Sequence, residues 1–148
     1  MRKKLVSLVA LGVTALILSA VASGGTHATK MNFTAVLSGG QEIPKPVGVP
    51  SGATGKFTAS VTGTKITWKL TFSHLTGPAS AAHIHAGKKG VAGAVIVPLC
   101  GPCKTTTSGS GKLTSAQLKA MKAGTTYVNV HTAKNPNGEI RGQVTMTM

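Results

Sequence analysis

Lys65-Ile66-Thr67-Trp68-Lys69-Leu70-Thr71-Phe72 decides the fold of this chain. Side chains alternate between the two faces of a strand, so Ile66, Trp68, Leu70 and Phe72 share one face and the lysines and threonines share the other. Thr62-Gly63-Thr64 precedes the run as a tight turn. Before the turn, Ala53, Gly55, Phe57, Ala59 and Val61 alternate with polar partners. Two period-two runs joined through a glycine predict a β-hairpin whose apolar face is the heart of the core.

The pattern extends in both directions. Upstream, Phe33, Ala35 and Leu37 alternate through a first strand, followed by a loop over Ser38 to Ser51 that holds Gly39-Gly40 and Pro44, Pro46 and Pro50. Downstream, Leu75-Thr76-Gly77-Pro78 turns the chain into a strand around Ala82-His83-Ile84-His85. Gly87 to Gly93 turns again, and Ala94 to Leu99 reads as a short apolar strand. Lys104 to Lys112 is polar, rich in Thr, Ser and Gly, and is not counted as a strand. Thr114-Ser115-Ala116-Gln117 has capping-box spacing and Gly124 is a natural stop, so a short helix is expected between them with Leu118 and Met121 buried. Thr125 to Thr132 is a strand. After the turn Asn135-Pro136-Asn137-Gly138, a final strand alternates through Ile140, Val144 and Met146. About seven strands and one short helix predict an all-β, antiparallel sandwich or barrel in one domain.

The first residues stand apart. Met1-Arg2-Lys3-Lys4 is basic, Leu5 to Ala22 is almost wholly apolar, and Ala20-Val21-Ala22 fits a secretory cleavage pattern. Residues 1–22 are expected to be a signal peptide, with Thr26-His27-Ala28 a second, later cleavage point. An uncleaved membrane anchor is the other reading, because the apolar run approaches the length of a span. Either way, an extracytoplasmic place is expected, secreted or held in the periplasm or cell envelope.

The formal charge is +14, from 16 basic residues against two acids, Glu42 and Glu139. Loss of Arg2, Lys3 and Lys4 with the signal leaves +11. Such a chain is drawn to anionic partners, so an envelope component, an extracellular protein or peripheral contact with lipid headgroups is expected. Nucleic acid fits poorly: the lysines are scattered, and one Trp, one Tyr and three Phe leave little for base stacking. Two carboxylates cannot supply a calcium or magnesium cage. A bound metal would be one that favours imidazole or thiolate.

Three histidines have that chemistry. His83 and His85, two apart on one strand, point the same way while Ile84 points to the core. His131 lies opposite Val128 and Val130 in the same manner. If the two strands meet, His83, His85 and His131 form a copper or zinc site. The competing reading is that these imidazoles hydrogen-bond loop backbone and hold the loops to the sheet. His74 reads as incidental. Cys100-Gly101-Pro102-Cys103 copies a thiol-redox loop without its usual surroundings; in an exported protein a short-range disulfide between Cys100 and Cys103 is expected.

Phe33-x-Ala35-x-Leu37-Ser38-Gly39-Gly40-Gln41-Glu42-Ile43-Pro44, then Ala82-His83-Ile84-His85, then Tyr127-Val128-Asn129-Val130-His131-Thr132 with Gly138-Glu139-Ile140-Arg141-Gly142-Gln143, resemble the CHRD domain over residues 31–148. The family is named for chordin and also occurs alone in exported microbial proteins. The resemblance implies an immunoglobulin-like sandwich or barrel and a non-enzymatic binding role, with no catalytic residues to carry over. Both acids lie inside these motifs, so a structural ion pair of Glu42 or Glu139 with Arg141 is expected. The histidine pattern also partly resembles the copper half of copper/zinc superoxide dismutase, with Arg141 placed like that enzyme's guiding arginine. It lacks a bridging histidine, an acidic zinc ligand and a histidine-rich loop. Dismutase-like or thiol-redox activity therefore stands as a remote alternative to a binding role.

Overall fold

The hairpin forms as expected: β2 (Thr54–Thr62) and β3 (Lys65–Ser73) pair antiparallel, with Trp68 opposite Ala59, Leu70 opposite Phe57 and Ile66 opposite Val61. The computed structural model describes residues 28–147; the expected signal segment, residues 1–22, lies outside them. Phe57, Val61, Ile66 and Leu70 are fully buried. Each contributes about 1.5–3 kcal/mol by leaving water. The hairpin thus carries a large share of the core.

Six further strands and one helix complete the order with β1 (Lys30–Ser38), which precedes the hairpin. They are β4 (Ala79–Ala86), β5 (Val95–Cys100), β6 (Thr106–Lys112), α1 (Ser115–Lys122), β7 (Thr126–Thr132), β8 (Ile140–Gln143) and β9 (Thr145–Thr147). All pairings are antiparallel within one sheet, ordered β5-β4-β7-β8-β1-β2-β3-β6, with β9 also alongside β1. β5 and β6, the two ends of that order, touch each other, so the sheet curls nearly shut. Of the two architectures left open, the barrel describes it.

The count differs from seven for two reasons. The segment set aside as polar contains β6, which pairs with β3 over its whole length, placing Gly109 opposite Trp68. A Cβ at Gly109 would stand 2.6 Å from Trp68 Cζ2. The missing side chain is what lets the indole approach the strand this closely, so β6 closes the core with backbone rather than with apolar residues. The last strand, read as one, is two. β8 pairs with β7, the chain passes through buried Val144, and β9 shifts to β1, leaving Met146 about half exposed.

The helix follows its sequence signals. Gln117 N–H donates to Thr114 Oγ1 at 3.1 Å, and Thr114 N–H donates to Gln117 Oε1 at 2.7 Å. Gln117 Nε2 also donates to Ile96 O at 2.6 Å, tying the helix to β5. Met121 is fully buried, with Leu118 packed against the core. Gly124 takes φ +65° just past the end, where glycine avoids the Cβ clash.

Candidate metal centre

β4 and β7 are neighbours, with His83 opposite Asn129, His85 opposite Tyr127 and Ala81 opposite His131. Ile84, Val128 and Val130 are fully buried on the core side. The imidazoles therefore share the outer face with Tyr127 and Asn129. β8 extends that face, setting Arg141 beside Asn129 and Gln143 beside Tyr127. Loop residues fold over it from three directions, through Glu42, Gly93 and Pro136.

The three rings meet. Centroids lie 5.0 Å apart for His83 and His131, 5.6 Å for His83 and His85, and 5.9 Å for His85 and His131. One nitrogen from each falls within 4.8 Å of the other two. Neighbouring groups set the protons. His85 Nδ1 donates to Gly93 O at 2.9 Å and His131 Nδ1 donates to Pro136 O at 2.9 Å, since a carbonyl can only accept. Both Nε2 atoms are then lone-pair donors to a metal. His83 Nδ1 lies 3.1 Å from His131 Nε2 and holds the hydrogen between them. His85 Nε2 is buried and has no partner. Backbone carbonyls that fix the tautomer and aim the ring are the support that metal-binding imidazoles need.

All three pKa values lie below the usual histidine range. Burial is the main cause for each. Neighbouring imidazoles push His83 and His131 down further, and Arg141 does the same to His85; the Gly93 and Pro136 carbonyls oppose the effect in part. The cluster is held neutral, the state that can ligate.

Tyr127 and Arg141 brace the centre. The Tyr127 ring stacks on His85 at 4.8 Å between centroids and 13° between planes, and Arg141 Cζ lies 3.4 Å from the centre of the Tyr127 ring. Arg141 Nη2 donates to Lys88 O at 3.0 Å and Val91 O at 2.8 Å. The phenol donates to Gly93 O at 3.3 Å and accepts from Gly93 N–H at 3.1 Å. The same glycine thus aims His85 and anchors Tyr127.

The expected ion pair of Glu42 or Glu139 with Arg141 is not where the hydrogen bonds go. Arg141 holds the 88–91 loop instead. Glu42 accepts from Asn129 Nδ2 at 3.0 Å and from Ile43 N–H at 3.1 Å. Its burial raises its pKa from 4.5 to about 7, against the lowering pull of the Ile43 N–H, Arg141 and Asn129. Arg141 acts on Glu42 only through space. Glu139 is fully buried and accepts from the Thr76 amide and hydroxyl, Thr132 Oγ1 and Asn135 Nδ2. Burial raises its pKa, but those donors together outweigh it and hold the carboxyl below the usual range. Both acids tie loops to strands through neutral donors.

Cys100 and Cys103 lie at disulfide distance at the end of β5, away from the histidines. Among the described residues, no cysteine or carboxylate joins the three imidazoles. His74 is exposed and lies 3.0 Å from Ser73 Oγ. Tyr127, Asn129 and Gly93 had no assigned role in the sequence reading. For the first two the signal was present, since period two places them on the face of His131; for Gly93 there was none.

A family model described as the CHRD domain matches residues 33–144, a span that includes every residue of this centre. No curated protein and no solved structure matches the chain.

Proposed function

The chain belongs to the CHRD domain family, and on that footing we propose that it is an exported binding protein that holds one copper or zinc ion between His83, His85 and His131. The observation that carries this reading is His85 Nε2, a buried lone pair without a partner beside two further imidazoles in reach. A buried nitrogen left unpaired costs free energy unless something fills its place. Imidazole-favouring metals do so. For tetrahedral coordination at about 2.0–2.1 Å, ligand atoms stand roughly 3.3 Å apart. His83 Nδ1 and His131 Nε2 are already at 3.1 Å. The His85 nitrogen, within 4.8 Å of that pair, has to close to roughly 3.3 Å, and the His83 proton has to move to its other nitrogen.

The basic start and apolar run at residues 1–22 support export, and CHRD domains occur in extracellular proteins. A second reading keeps the histidines structural, favoured by the Gly93 and Pro136 carbonyl bonds that fasten two loops. Calorimetric titration of the chain from residue 28 with zinc and with copper separates the two. The metal reading predicts about one equivalent for wild type and none for the His83→Ala/His85→Ala/His131→Ala variant. Equally weak uptake by both, with a lower melting temperature for the variant, would leave the structural role alone.

A further inference from the structure

Far from the histidines, the outer face of β1–β2–β3–β6 carries only lysine, threonine, serine and asparagine, apart from Val36 at one side. The pairing register sets its charges in rows. Lys30, Thr62, Lys65 and Lys112 form one row across all four strands, with Lys65 directly opposite Lys112. Lys69 projects from the same face two rows further on, and Lys56 three. Like charges directly opposite each other destabilise a sheet. No carboxylate relieves them, because Glu42 and Glu139, the chain's two acids, are 1% and 0% exposed. Every exposed formal charge on a side chain among the described residues is positive.

We infer that this face binds an acidic polysaccharide, a polymer that brings carboxylates or sulfates to the lysines and hydroxyls to the threonines and serines. Three features of the face select that partner. An anionic polymer supplies the counter-charge that the opposed lysines lack. Penetration into lipid needs apolar or aromatic side chains at the surface, and this face offers Val36 alone. Single-stranded nucleic acid needs aromatic platforms for its bases, and the face has none. Four strands about 4.8 Å apart, with successive outward rows roughly 7 Å apart along them, give an extended surface suited to a chain rather than to a small molecule.

Binding to polygalacturonate and dextran sulfate at fixed ionic strength tests the inference. Lys30→Gln/Lys65→Gln/Lys112→Gln is expected to weaken binding about tenfold or more and to flatten its log–log salt dependence by roughly one unit per lost contact. Lys104→Gln/Lys119→Gln/Lys122→Gln removes the same charge from other exposed positions and is expected to change the affinity far less. Equal losses in the two triple variants would overturn the face in favour of net charge alone. Tighter binding of wild type to phosphatidylglycerol vesicles or single-stranded DNA than to either polysaccharide, at the same salt, would overturn the assigned partner.

Discussion

His83 Nδ1 and His131 Nε2 stand 3.1 Å apart, on strands joined to each other along their length. One proton lies between two nitrogens at a separation that also suits a pair of metal ligands. Because all three pKa values sit below the histidine range, the cluster is neutral near pH 7.5. The proposed metal binding would exchange a tautomer there without expelling protons. Calorimetry in buffers of different ionisation enthalpy is expected to show proton release near zero at pH 7.5. Release should appear, and affinity fall, as acidification begins to protonate the rings.

Glu42 gives stability a pH dependence of its own. Its folded pKa of about 7 lies above the ordinary 4.5. The folded state therefore holds a proton that the unfolded chain has lost between those values. The resulting stabilisation is complete below pH 4.5 and disappears as pH rises through about 7. Glu42→Gln keeps the neutral form at every pH. Chemical denaturation should find the variant close to wild type at pH 4.5 and more stable at pH 8, by up to about 3 kcal/mol. A gap that does not widen with pH would contradict this.

Glu139 predicts the opposite sign. Its carboxylate is stabilised by four donors, so its contribution is present above pH 4.5 and is lost as pH falls through its lowered pKa. Glu139→Ala leaves the Thr76, Thr132 and Asn135 groups without their acceptor. A loss of about 2–4 kcal/mol is expected in denaturant melts at pH 7.

Gly109 tests how β6 closes the core. Gly109→Ala would set a methyl against the Trp68 indole at 2.6 Å, so the ring must shift. Overpacking of this kind costs about 1–3 kcal/mol. Melting temperature should drop, and the emission of Trp68, the chain's single tryptophan, should move. Gly111→Ala on the same strand meets Ile66 only at 3.9 Å and is expected to be mild by comparison.

Alternation carried most of the fold into view, because Ile66 to Phe72 and Phe33 to Leu37 must bury one face whatever their neighbours do. β6 was hidden for a physical reason: Thr106 to Lys112 contributes backbone and a gap over Trp68, and neither leaves an apolar pattern. Val144 conceals the break between β8 and β9 because it is buried on either reading. At the centre, period two made the outward faces of His83, His85 and His131 legible, whereas the pairing of β4 with β7 that brings them together was left conditional by the sequence. Their tautomers were not legible, since Gly93 and Pro136 reach the rings through backbone carbonyls, which every residue has. Charge counting misplaced Arg141. Glu139 and Arg141, two apart in sequence, do not pair because Thr76, Thr132 and Asn135 take up the carboxylate, while Arg141 Nη2 donates to the Lys88 and Val91 carbonyls and Nη1 has no partner.

X-ray absorption at the zinc edge of the stoichiometrically loaded protein bears most directly on the claim that three imidazoles hold a metal. The account predicts a nitrogen shell at about 2.0–2.1 Å with the outer-shell scattering of three imidazole rings, reduced by one ring in His131→Ala. An oxygen-only shell, or a spectrum unchanged by His131→Ala, would contradict it.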